Sequence, residues 1–198
     1  MGLGNNSGGG NSKFVTIVGG KWTLRVPEGT EGAVPRELTK GPNIGSEVFE
    51  RHFDHLCGKL VKGMTKRGEY GTDLCLDIED EGVVYNAQIP CDSDYFRTFA
   101  KCCEGIEFDK ELFLGLGTPK DGGFPYLYVQ QEDASLKSRY TKDEPNGMPS
   151  WEKKEEMGDV KWDKTAQNNF CYGLAVDFLS RFEDALMDAE ECNGGCTI

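Results

Sequence analysis

Residues 72–102, TDLCLDIEDEGVVYNAQIPCDSDYFRTFAKC, carry two different periods on either side of Pro90. From Thr72 to Glu79, Leu74, Leu76 and Ile78 alternate with Asp73, Cys75, Asp77 and Glu79. That period of two predicts a strand with one buried face. Asp80-Glu81-Gly82 reads as a turn, and Val83, Tyr85, Ala87 and Ile89 give another alternating run. Beyond Pro90, Tyr95, Phe96, Phe99, Cys102 and Cys103 recur at helical spacing, with Ser93 or Asp92 placed to cap.

Upstream, Glu47 to Lys66 is a long strand-like run carrying Phe49, Phe53, Leu56, Leu60, Val61 and Met64. Its phase slips around Cys57-Gly58, which predicts a strand bending at a glycine. Downstream, Leu112, Leu114 and Leu116 predict a fourth strand. The turn TPKDGG leads to a fifth, Pro125 to Gln131, with Leu127 and Val129 opposed to Tyr126 and Tyr128. Three strands, a short helix and two strands is the order of an OB-fold, a five-stranded Greek-key β-barrel.

Both ends add to this unit. Lys13 to Val26 places two β-rich runs around Gly19-Gly20, a hairpin signature. The Gly/Pro-rich stretch that follows reads as loop and contains Arg36 and Lys40. Tyr140 to Trp151, YTKDEPNGMPSW, is excluded from regular helix or interior strand by Pro145 and Pro149. A polar segment around Gly158 predicts a short strand or hairpin, and Asp163 precedes a long helix. Its stripe is Phe170, Leu174, Phe178, Phe182 and Leu186. The expected chain is mainly β with an added helix. Its parts are an arm (1–12), a hairpin and loop (13–45), an OB barrel (46–141), a Pro/Gly connector (142–164), and a C-terminal helix with acidic tail (165–198).

The net charge of −12 is unevenly spread. Residues 13–67 hold ten Lys and Arg against six Asp and Glu, whereas residues 68–135 hold four against fifteen. A basic surface built from the first third is therefore compatible with an acidic total. No apolar run approaches the roughly 20 residues that span a bilayer, so no membrane partner is expected. The N-terminus lacks a basic start followed by an apolar region, and Asn6 stands where N-myristoylation wants Ser or Thr.

The eight cysteines form no CxxC pair and predict reduced, structural thiols. His52, His55 and Cys57 offer three zinc-ligand types without a partner cluster, so no metal or cofactor is expected. No nucleophile motif, Walker loop or dinucleotide fingerprint is present, and no enzyme activity is expected.

Binding a single nucleic-acid strand needs aromatic faces beside cations. Lys59, Lys62, Lys66 and Arg67 run along the end of the first barrel strand into its turn, followed by Tyr70. Lys120, Arg139, Tyr140 and Lys142 lie near the later loop and after strand five, with Tyr126, Tyr128 and Trp151 as further aromatics. Asp73, Asp77 and Glu79 on the outer face of the second strand would repel phosphate, so the grip falls to loops, strand five and extensions.

EYGTDLCLDIED, VYNAQIP, SDYFRTFAKC, TKDEPNGMP and KWDKTAQNNF together resemble the OB-fold single-stranded-DNA-binding proteins of tailed bacteriophages. The resemblance spans roughly residues 13–180, with Pro145 to Pro149 and Trp162 to Thr165 as its most specific motifs. It implies sequence-independent coating of single-stranded DNA during replication, recombination or repair, in the cytoplasm of a bacterial host. It also implies an acidic C-terminal segment that competes with DNA and recruits replication proteins. Glu183 to Glu191 is acidic in that position, although the chain here ends Cys-Thr-Ile rather than in an aromatic. A homo-oligomer through the C-terminal helix is a further expectation, and a non-enzymatic interaction module (virion component or replisome adaptor) is the alternative.

Overall fold

The structure, a computed structural model, describes residues 12–39, 41–69, 71–120, 122–156 and 159–194. It is mainly β with a long C-terminal helix. The strands are β1 (Lys13–Val18), β2 (Lys21–Val26), β3 (Val34–Glu37), β4 (Glu47–Phe53), β5 (His55–Gly68), β6 (Gly71–Asp80), β7 (Val83–Pro90), β8 (Leu112–Gly117), β9 (Tyr126–Gln131), β10 (Ala134–Ser135), β11 (Glu152–Glu156) and β12 (Asp159–Asp163). The helices are α1 (Asp94–Ala100) and α2 (Thr165–Gly194).

The alternating runs fold as read. Leu74, Leu76 and Ile78 of β6 and Ala87 and Ile89 of β7 are buried on one face. Glu81 and Gly82 take positive φ of 48° and 77° in the two-residue turn that joins β6 to β7. Ser93 caps α1, its Oγ accepting from the Phe96 N–H at 3.1 Å.

One sheet runs β10-β9-β8-β5-β6-β7-β1-β2-β4-β3, and β11-β12 form a separate pair. The outer edge of β7 is taken by β1, in parallel, with Val15 opposite Ala87. The hairpin β1–β2, expected as an addition outside the barrel, thus lies inside the sheet. β9 pairs with β8 and β10, so the third-to-fifth strand pairing of the expected barrel is not made among the described residues. Trp22 of β2 shows why the hairpin fits there: it is fully buried, and its Nε1 donates to the Leu114 carbonyl at 2.9 Å.

Three details differ from the sequence reading. The run Glu47 to Lys66, read as one long strand, is two, β4 and β5, parted at Asp54. The stretch read as loop contains β3, an edge strand that accommodates Pro35 because one side of it needs no ladder donor. The phase slip assigned to Cys57-Gly58 falls instead at Val61, between the pairs Leu60–Ile78 and Lys62–Asp77. Gly58 keeps a separate role, because β5 changes partner there. Residues 55–58 pair with β8, and pairing with β6 begins at Lys59. Its φ is +147°, and a Cβ would stand 2.3 Å from the Glu79 carbonyl oxygen, so no side chain fits.

α2 supplies the last wall of the core. Asp163 accepts from the Thr165 N–H at 2.8 Å at its start. Leu174, Phe178 and Phe182 are buried, and Phe178 meets Phe99 edge-on with ring centroids 5.5 Å apart. The predicted stripe is therefore spent on the chain's own core as far as Phe182, while Leu186 is 42% exposed. No helix among the described residues is long and apolar enough to cross a membrane.

Candidate nucleic-acid interface

Directly opposed residues in a sheet share a face. Leu56, Leu114, Val129 and Leu127 form the buried face of β5, β8 and β9. The reverse face carries His55, Phe113, Tyr128 and Tyr126, because His55 opposes Gly115, which opposes Tyr128, and Gly117 opposes Tyr126. The His55 and Phe113 rings stack at 4.4 Å and 18°. Phe113 lies 5.9 Å from Tyr128, and Tyr128 lies 6.2 Å from Tyr126. Four rings thus follow one another across three strands.

Glycine lets the tyrosines of this strip close onto the sheet, with their rings tilted by 49° to each other. A Cβ at Gly115 would stand 2.1 Å from Cζ of Tyr128, and one at Gly117 would stand 2.4 Å from Cζ of Tyr126. Each tyrosine lies over the backbone of the opposing glycine and presents its other face outward. Tyr126 is 39% exposed, and His55 is also exposed. Tyr126 and Tyr128 were predicted from the sequence; His55 and Phe113 were not, since only cross-strand register brings them into line.

The cations beside the strip face carboxylates. Lys59, Lys62 and Lys66 are exposed, as expected, but the register sets them opposite Glu79, Asp77 and Asp73. Burial and the neighbouring Asp92 raise the Asp73 pKa, while Lys66 opposes that shift. Lys21 is held by Asp54 at the near end of β5. Arg67 is exposed at the end of β5, away from the rings, and Tyr70 lies outside the described residues.

The remaining predicted residues divide. Tyr140 is buried, donates its hydroxyl to Glu104 at 2.8 Å and meets Phe170 edge-on at 5.3 Å. Burial and that hydrogen bond push its pKa up to about 12. It packs in the core and borders, with its remaining surface, the groove that Trp151 lines. Arg139 is paired with the same carboxylate at 3.0 Å. Trp151 and Lys142, by contrast, line an open groove with Lys101 and Trp162. Trp151 also contacts Phe124 at 5.3 Å, and Lys164 lies over both rings at 4.2 and 4.6 Å.

The zinc-type cluster is otherwise engaged. His52 Nε2 is 3.6 Å from Glu50, and His55 belongs to the strip. No group of three or more His, Cys, Asp or Glu suited to a metal occurs among the described residues. Cys57, Cys75, Cys91, Cys102, Cys103 and Cys171 are all free thiols. Burial pushes Cys91, Cys102 and Cys103 up to about 12, so these thiols stay protonated. Compared with protein-family models, curated proteins and solved structures, the chain finds no match.

Proposed function

We propose that the protein binds and protects single-stranded DNA without sequence preference, in phage-type replication, recombination or repair. The observation that carries this reading is the strip His55–Phe113–Tyr128–Tyr126 on an outward sheet face. Every base has a π-face, so a row of rings takes bases of any sequence, at roughly 1–3 kcal/mol per stacked base. The strand order supports a barrel of the OB kind. Only Asp54 separates β4 from β5, and the neighbours β5, β6, β7, β1, β2 and β4 lead back to that same line of chain. On this reading the hairpin β1–β2 stands where β8–β9 were expected, and β8–β9 carry the rings beside it. Fluorescence anisotropy of a labelled oligothymidylate at low salt tests the proposal. Saturable binding that weakens as salt rises is expected. No change in anisotropy at low salt refutes it.

A second reading, a protein-interaction module, is favoured by the lysine–carboxylate register of β5 and β6, which leaves that face without a net basic surface. A partner docking there would bind equally well after Tyr128→Leu, whereas DNA would not.

A further inference from the structure

The groove beside the connector differs in kind from the ring strip. The connector that forms one wall is folded, not slack. Asn146, at φ +47°, donates from Nδ2 to the Arg139 carbonyl at 2.6 Å, and Gly147 follows at φ +86°. Met148 N–H donates to the Pro145 carbonyl at 2.8 Å. Trp151 Nε1 donates to Gln167 Oε1 at 2.7 Å, and Gln167 Nε2 donates in turn to the Pro149 carbonyl at 3.0 Å. Trp151 is thereby fixed to the start of α2. Across the opening, Trp162 of β12 is 57% exposed.

Charge decides what the groove suits. Lys101 and Lys142 line it and no carboxylate does. In a chain of net charge −12, a concave surface of about 590 Å³ with two ammonium groups and two indoles suits an anionic, aromatic-bearing occupant. The two parts are joined by aromatic residues, since Phe124 touches Trp151 and lies two positions before Tyr126.

Resting on the single-strand reading above, we infer that the DNA path is divided. The β5–β8–β9 strip supplies stacking with little charge, and the groove of Lys101, Lys142, Trp151 and Trp162 supplies the phosphate contacts. The salt dependence of binding then comes from the groove, and the row Lys59, Lys62 and Lys66 contributes little to it.

Oligothymidylate affinity measured from low to moderate salt tests this division. Three proteins are compared: wild type, a Lys101→Gln/Lys142→Gln double variant, and a Tyr126→Leu/Tyr128→Leu double variant. Losing two phosphate contacts should flatten the slope of log K against log salt by about 1.4, at about 0.7 per contact for a single strand. The tyrosine variant should bind about 10- to 100-fold more weakly at every salt with its slope unchanged. Trp162→Ala, on an exposed hairpin, should weaken binding with unchanged slope and thermal midpoint. If wild type binds and the lysine variant keeps the full slope, the division is wrong and the single-strand reading stands. If wild type does not bind at any salt, both fall. Quenching of tryptophan fluorescence by a poly-glutamate peptide, with none by oligothymidylate, would give the groove to an acidic protein and overturn the inference.

Discussion

Gly115 and Gly117 decide how closely the tyrosines approach the sheet. An alanine at Gly115 would overlap the Tyr128 ring, but that ring ends a side chain that can swing outward. Gly115→Ala should therefore cost only about 1 kcal/mol in urea unfolding while weakening oligothymidylate binding. A variant that binds normally would detach Tyr128 from the site. Glu50 makes a different kind of prediction. It is buried, and the Arg36 guanidinium reaches it with two hydrogen bonds of 2.6 and 2.7 Å, which holds its carboxyl below the usual range against the cost of burial. A depressed folded pKa stabilises the fold above the ordinary carboxylate value of about 4.3. That gain is lost as pH falls through the depressed value. Arg36→Ala should destabilise by about 3 kcal/mol at neutral pH, and its gap from wild type should narrow at about pH 3. An equal gap at both pH values would exclude the linkage.

At the scale of elements, periodicity exposed β5, β6, β7, α1, β8, β9 and α2, because each has one buried face and one wet one. β3 was hidden because VPRE holds a proline and has no buried apolar side chain; its strand state comes from pairing with β4. The fifth residue of the α2 stripe misled for a related reason. Period alone does not say where the core ends, and among the described residues the last buried position is Phe182. Truncation after residue 182 keeps the Phe178 and Phe182 contacts and removes Glu183, Asp184, Asp188, Glu190 and Glu191. The shortened chain should melt cooperatively as before and bind oligothymidylate more tightly, since five like charges no longer repel the phosphates. Unchanged affinity would show that the acidic end lies too far from the path to matter.

For the whole molecule, the parallel docking of β1 on β7 joins residues about seventy positions apart, and no local pattern announces it. The candidate site was half legible for the same reason. Tyr126, Tyr128, Lys142 and Trp151 stand in runs whose residue types are informative on their own. His55, Phe113, Lys101 and Trp162 become relevant only once register and groove bring them beside those four. The lysines of β5 looked unopposed in sequence because the carboxylates that face them stand on β6. On the proposed reading, rings on the β5–β8–β9 face hold the bases. That is tested most directly by titrating labelled oligothymidylate, at low salt, against wild type and the Tyr126→Leu/Tyr128→Leu variant, which keeps apolar cover over Gly115 and Gly117 without an aromatic face. Wild type should bind tightly and the variant about 10- to 100-fold more weakly; equal affinities would mean that the rings do not hold the bases.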